Sequence, residues 1–196
     1  MISEALSVIV KLINVYISPS STDEPLLLTN ISKYNDGSEF SAALNDKLIL
    51  SIVNIEEDRV AKSQENYIKE NAIIKYKNPP VPINLTLLFA STHSDYNQAV
   101  MLIEKVISFF QAKFVFTPGN TKEIQEINEI NSINIEKLIF EWVNLNFEQV
   151  NQLWTTLGGH YMPSVVIKMR MITIDDMNIQ KEAPPIKEIE GKTGHI

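Results

Sequence analysis

Apolar residues recur at helical spacing in three segments of the chain. In the first, residues 2–17, isoleucine, leucine and valine return every three or four positions and form one broad stripe. The other two segments are residues 96–112 and 147–157. This spacing is typical of amphipathic helices that pack one face against a core. The pattern therefore predicts about three packed helices.

Other apolar segments alternate with polar residues or form short continuous runs, which is typical of strands. Residues 47–58 are rich in isoleucine, leucine and valine and too short for an independent helix, so we expect a central strand with both faces covered. Residues 81–90 alternate, which predicts a half-buried strand. Further strands are predicted at residues 25–32, 113–117, 136–144 and 161–175. Because strand often follows strand directly, the order favours an α+β fold with a mixed, largely antiparallel sheet.

Polar segments separate these elements. Residues 34–41 and 58–73 are polar, and residues 120–134 are polar with scattered isoleucines, so we interpret the three segments as surface loops, the last one mobile. Gly158 and Gly159 follow the third predicted helix and suit a left-handed helix C-cap.

The end of the chain differs from the rest in being polar and in containing the pair Pro184–Pro185. Such a segment after the last predicted strand is typical of an arm or tail. We therefore expect a domain at residues 1–177 and a C-terminal arm at residues 178–196.

Composition excludes several classes of function. Of the 196 residues, 24 are acidic and 17 are basic, so the net charge of −7 disfavours binding to nucleic acid or to an anionic membrane. The chain has no cysteine, which excludes disulfides, thiolate metal sites and a thiol nucleophile. The first apolar segment is interrupted by polar residues and lacks a basic start, so it does not have the form of a secretory signal. We expect a cytoplasmic product.

Candidate catalytic groups are few. His160 follows the glycine pair and could act as a base or a ligand, but a polar residue after a helix cap is the commoner explanation. His93 and His195 are isolated in sequence and offer no metal spacing. Neighbouring acids such as Asp175 and Asp176 point to opposite faces of a strand and converge poorly on one atom. We predict no catalytic, metal or cofactor site.

Acidic residues 56–58 and one aromatic group are the other features that could carry function. Glu56, Glu57 and Asp58 end a predicted strand, where the simplest explanation is solvation and protection of the edge. An aromatic group consisting of Trp142, Trp154 and Tyr161 could form a ligand pocket, but core packing is the favoured interpretation.

Three long segments resemble one family. They are LILSIVNIEEDR at 48–59, YKNPPVPINLTLLFAS at 76–91 and LWTTLGGHYMPSVVIKMRMITID at 153–175, with Phe109-Phe110-Gln111 between them. Together they resemble the cap proteins of phage-tail-like contractile injection systems, of the antifeeding prophage and Photorhabdus virulence cassette type. The likeness spans roughly residues 2–177. His160 departs from the family pattern, in which lysine or another polar residue is usual.

The resemblance implies a tail-terminator-like fold and a structural role without enzymatic activity or cofactor. Family members form a hexameric ring that ends the inner tube and the contractile sheath at the end distal to the baseplate. The implied partners are further copies of the chain, the tube protein and the sheath protein. Assembly is expected in the cytoplasm, and the finished particle can be intracellular or released.

Eight residues are candidates for partner contacts. The acids at 56–58 could meet basic groups on a partner, the Asn78-Pro79-Pro80 turn could lie at a ring contact, and the tail could be an arm for the sheath. The residues are Glu56, Glu57, Asp58, Asn78, Pro79, Pro80, Pro184 and Pro185.

Two alternatives stay open at the level of sequence. One is a phage-type tail completion or adaptor protein placed elsewhere in the particle. The other is a small enzyme or ligand-binding domain in which His160 and the acids at 56–58 share one cleft.

Overall fold

A six-stranded sheet with helices on both faces forms the centre of the protein. The computed structural model describes residues 1–19, 24–35, 39–60, 66–70, 73–131, 134–175 and 179–183. The helices are α1 Ile2–Ile17, α2 Glu39–Ala43, α3 Tyr96–Ala112, α4 Lys122–Asn131 and α5 Phe147–Thr156, and a 3-10 helix covers Ile31–Asn35. The strands are β1 Leu26–Leu28, β2 Leu48–Glu57, β3 Tyr67–Glu70, β4 Ile73–Lys77, β5 Val81–Ser91, β6 Val115–Phe116, β7 Leu138–Trp142, β8 Ser164–Ile174 and β9 Ile179–Ala183.

The large sheet has the strand order β1-β2-β5-β8-β7-β6, and a smaller sheet has the order β3-β4-β9. Among the described strand pairs, only β1 and β2 run parallel, and all the others are antiparallel. The predicted α+β fold with a mixed, largely antiparallel sheet is confirmed.

Two apolar clusters lie on opposite faces of the large sheet. The first joins α1, α3 and α4 to the sheet, with Phe89 and Phe110 near its centre. The second is smaller and packs Ile31, Leu44 and Trp154 against the other face. Because both clusters include side chains of β5, this strand is covered on both faces. The predicted half-burial of residues 81–90 is therefore wrong.

The strand β2 is buried only over its first half. Leu48 to Ser51 are buried, whereas the following residues are exposed or partly exposed. The expected central strand with two covered faces is thus correct only near β1, where Leu48 and Leu50 enter one apolar cluster and Ile49 enters the other.

Three predicted loops contain regular structure. Residues 34–41 include the end of the 3-10 helix and the start of α2, and residues 120–134 contain α4. Residues 58–73 contain β3 and the first residue of β4. Isoleucines recur every third residue in α4, at 124, 127 and 130, and Ile124 is fully buried, so a helical spacing was present among more numerous polar residues. The strand β3 depends on pairing with β4, which no local pattern signals.

Part of the predicted arm is a strand. Residues Ile179–Ala183 pair with β4 from Lys77 to Ile74 and complete the small sheet. Pro184 and Pro185 lie outside the described residues, so the rest of the predicted arm, and the boundary at residue 177, stay predictions.

Candidate functional site

The acids at the end of β2 are held by basic residues on β8. Lys168 forms an ion pair with Glu56, and the Nη2 atom of Arg170 lies 3.2 Å from the Oδ2 atom of Asp58. Asp58 is only 7% exposed, whereas Glu56 is substantially exposed. The carboxylates at 56 and 58 are therefore engaged within the chain. Their predicted contact with basic groups of a partner stays a prediction.

The Asp58 carboxylate is the centre of a polar network. It accepts hydrogen bonds from the backbone N–H of Val60 at 3.1 Å and from the Asn84 amide at 3.3 Å. Arg170 continues the network to Glu141, with 2.9 Å between Nη1 and Oε1. The hydrogen bond from Arg170 to Glu141, and to a smaller extent that to Asp58, raise the pKa of the guanidinium above its ordinary value. The network joins β2, β5, β8 and β7 into one polar strip.

Sequence reasoning missed the basic half of this strip. The signal was present as two alternating pairs, Glu56 and Asp58 on one segment and Lys168 and Arg170 on another. Alternating residues share one face of a strand, so two such pairs can match across a sheet. The two strands are separated by β5, and only the strand order shows that the pairs face each other.

The Asn78-Pro79-Pro80 turn joins the two sheets. It links β4 of the small sheet to β5 of the large one, and the Asn78 side chain accepts a hydrogen bond from Gln180 at 3.0 Å. Beside it, Lys77 donates to Asp175 at 2.6 Å. Proline fixes the backbone here and supplies no N–H, which suits a rigid connection. A role of this turn at a ring contact stays a prediction.

The histidines do not converge. His160 is exposed after α5, whereas His93 follows β5 and its Nδ1 atom accepts a hydrogen bond from the Asp95 backbone. His195 lies outside the described residues. No cluster of three potential metal ligands occurs in the described ranges. His160 lines a groove to which none of the acids at 56–58 contributes, which argues against the shared cleft of the enzyme alternative.

Two adjoining grooves lie beside α5, with volumes of about 360 and 650 Å³. Both are lined by Leu145, Val150, Trp154 and Tyr161. We call this pair of depressions the aromatic groove. The interpretation of the aromatic group as core holds for Trp154, which is 4% exposed, but Trp142 and Tyr161 are 46% and 65% exposed at the rim.

The glycine joint positions one wall of this groove. Gly158 has a φ of 68°, and its N–H bonds to Thr155 while the N–H of Gly159 bonds to Trp154. This pair of hydrogen bonds is a Schellman motif and ends α5 sharply. The predicted left-handed cap is confirmed, and it carries His160 and Tyr161 toward β8.

The family model of the Pvc16 N-terminal domain matches residues 4–188. The chain belongs to this family. The resemblance to contractile injection system cap proteins that the sequence motifs indicated is confirmed. No curated protein matches the chain.

Two solved structures share the fold at low sequence identity. The sheath/tube terminator of an extracellular contractile injection system, PVC, in its extended state gives a TM-score of 0.60 at 12% identity, covering 100% of this chain and 64% of that one. The tube-terminating cap of the anti-feeding prophage gives 0.61 at 13% identity, covering 96% and 60%. The chain thus spans less than two thirds of the length of either structure.

No helix in the described part of the chain is long and apolar enough to cross a membrane.

Proposed function

We propose that the protein is a structural cap that ends the inner tube and the sheath of a contractile injection particle. The observation that carries this proposal is the correspondence of almost the whole chain with two terminators, together with the family match over residues 4–188. The ionisable groups of the described polar network pair with one another, and no charged residue in the described part of the chain lines the aromatic groove.

The cap acts as a closed ring, which we propose to contain six copies. Identical subunits that use head-to-tail contacts form a ring when the rotation between neighbours closes. One face of this ring binds the last tube layer and the rim binds the last sheath layer, at the end distal to the baseplate. The opposite face offers no site for a further layer, so growth stops there.

A strand edge of the large sheet supports a role in assembly. Among the described residues, the pairing of β2 with β1 ends at Leu50, whereas the pairing of β2 with β5 continues beyond it. Ile52 and Ile55 on this part of β2 are exposed. Strand edges bind extended partners through main-chain hydrogen bonds, so we propose the edge from Ile52 to Ile55 as a surface for strand addition.

The test is the mass of the purified protein combined with negative-stain images, first alone and then with purified tube of the same particle. A cap gives a ring with a central hole, alone or at the tube end, and stops addition of tube protein at the end it covers. A protein that binds neither tube ends nor its own copies contradicts the proposal.

His160→Ala provides a matched control in this experiment. The enzyme alternative depends on His160, whereas a structural cap does not need an imidazole at this exposed position. We expect the variant to bind tube ends as the parent does.

A further inference from the structure

The aromatic groove carries unusually exposed apolar side chains. Phe147, the first residue of α5, is 97% exposed, and Tyr161 and Trp142 project at the rim. Single exposed apolar residues are common, but a set of aromatic residues around one concave surface marks a binding site.

The lining of the groove indicates the chemistry of its ligand. Apart from the aromatic residues it consists of aliphatic, amide, hydroxyl, glycine and histidine residues, with no lysine, arginine, aspartate or glutamate. The indole N–H of Trp154 is buried and finds no acceptor among the described residues. A buried donor is normally paired, so its partner is expected from outside the described part of the chain. An uncharged apolar segment with free carbonyls fits these requirements.

Proline-rich segments have this chemistry. A Pro-Pro pair presents carbonyls without N–H groups, has little conformational freedom to lose, and packs flat rings against aromatic side chains. The sequence contains two such pairs. Pro79–Pro80 is fixed in the joint between the sheets, whereas Pro184–Pro185 directly follows β9 and is itself followed by Ile186.

The groove and the small sheet, which the proline pair follows in sequence, lie at opposite ends of β8. Ser164 lines the groove, and Ile174 is the last residue of the same strand, about 33 Å away at 3.3 Å per residue. The small sheet follows Ile174, and none of its described residues lines the groove. A binding surface at one end of β8, and at the other end the sheet that the proposed ligand follows in sequence, suit a head-to-tail contact between copies.

We propose that the Pro184–Pro185 segment of one copy binds in the aromatic groove of a neighbouring copy. This inference rests on the proposed ring and identifies one contact between its subunits. In this proposal the tail binds a neighbouring subunit of the ring, whereas the sequence led us to expect that it binds the sheath. The prolines lie against the aromatic rings, and a carbonyl of the segment accepts the hydrogen bond of the Trp154 indole.

Cysteine cross-linking tests the contact directly, because the natural chain has no cysteine. Asn151 lines the groove and is exposed, and Ile186 follows the proline pair. Under a mild oxidant, the double variant Asn151→Cys/Ile186→Cys is expected to form covalent dimers and higher oligomers. Mixing the two single variants is expected to give a heterodimer containing one chain of each.

Three results of this experiment overturn the inference. A cross-link confined to monomers of the double variant shows that the tail fills the groove of its own chain. No cross-link, with the protein alone and with tube ends present, shows that the tail binds elsewhere. Ser7→Cys replaces Asn151→Cys as the matched control, because Ser7 is an exposed residue lining a different groove, beside α1. Equal cross-linking from this position also overturns the inference.

Substitutions then test the chemistry of recognition. Trp154→Phe retains an aromatic ring but removes the indole donor, and we expect the heterodimer yield at limiting concentration to fall about fivefold. Pro184→Ala/Pro185→Ala lies outside the described core and is expected to lower the yield at least as much without changing the melting temperature. Unchanged yields from both variants overturn the proposed recognition.

Binding to tube ends separates this inference from the proposed function. If the cysteine variants cap tubes before oxidation but form no cross-link under the oxidant, the cap function stands and the tail contact is wrong. If cross-linked oligomers form but never bind tube ends, the tail contact stands and the cap function is wrong.

Discussion

The side-chain amide of Asn14 closes the outer edge of β1 by binding both backbone groups of Leu26. The Leu26 N–H donates to the Asn14 Oδ1 atom at 2.8 Å, and the Asn14 Nδ2 atom donates to the Leu26 carbonyl at 3.0 Å. The amide, which is itself buried, thus replaces a neighbouring strand at this position. An edge strand that is covered in this way is protected from unintended pairing. The outer edge of the sheet is therefore covered at Leu26 of β1.

Asn14→Leu is expected to lower the free energy of unfolding by about 2 kcal/mol. The substitution keeps the branched side-chain shape but leaves a buried donor and a buried acceptor of Leu26 without partners. Urea denaturation measures the loss, and sedimentation at rising concentration shows whether the uncovered edge promotes self-association. Lys11→Ala is the control, because Lys11 is exposed and lines the same surface groove beside α1 as Asn14. It is expected to shift the free energy of unfolding by less than about 0.5 kcal/mol. Equal effects of the two substitutions would refute the protective role of Asn14.

Asp58→Asn is expected to destabilise the protein by about 2 kcal/mol. Asp58 is buried and engages Arg170, so neutralising it leaves the guanidinium with Glu141 as its charged partner. Denaturant unfolding gives the value, and a double-mutant cycle with Arg170→Met isolates the pair. The matched control is Glu56→Gln, whose exposed pair with Lys168 should contribute less than about 1 kcal/mol. A larger effect at Glu56 than at Asp58 would contradict this ranking.

The Asp46 carboxylate is expected to titrate below its ordinary value of 3.8. The Ser94 backbone N–H, and to a smaller extent the Ser94 hydroxyl, donate hydrogen bonds to the charged carboxylate and lower its pKa. Because the folded-state pKa is depressed, the stabilisation is present above the unfolded pKa and is lost as pH falls through the folded pKa. NMR titration of the Asp46 carboxyl is the direct measurement.

Removing one of the two hydrogen bonds tests the cause. Ser94→Ala deletes the hydroxyl donor, so the pKa of Asp46 should rise part of the way toward 3.8, while the backbone donor keeps the rest of the shift. Ser108→Ala, a substitution within α3 at a distance from Asp46 in sequence, serves as control and should leave the pKa of Asp46 unchanged. An unchanged pKa in Ser94→Ala would show that the hydroxyl does not bind the carboxylate in solution.

Long periodic segments were predictable because their burial is repeated along the chain. The helices α1, α3 and α5 each present a continuous apolar stripe, and the predicted positions agree with the structure within one or two residues. Among the elements that sequence reasoning missed, β3 and β9 lack such repetition, whereas the isoleucines of α4 are outnumbered by polar residues. The small sheet is completed only when β9 joins β4, about one hundred residues earlier in the chain, and no local pattern signals this pairing.

The same limit applies to the candidate sites. The acids at 56–58 were visible as charged residues, but their partners at 168 and 170 become neighbours only through the strand order of the large sheet. The aromatic groove includes residues of α3, the segment before α5, α5 itself and β8, and their exposure depends on packing. The family motifs identified the joint at Leu157–Tyr161, whereas its position as a groove wall required the fold.

Gly158→Ala is expected to lower the free energy of unfolding by about 1 kcal/mol through backbone strain. Gly158 has a φ of 68°, which L-residues with a Cβ atom adopt at a cost of about 1–2 kcal/mol. A Cβ atom there meets no heavy atom within 4 Å, so the cost comes from the backbone and not from a clash. Thermal and urea unfolding measure the change, and Gly158→Asn should cost less because asparagine tolerates this conformation better. Gly119→Ala is the matched control, since its Cβ would meet only Thr117 at 4.0 Å and its φ lies outside the left-handed region, so a loss as large there would exclude strain at Gly158 as the specific cause.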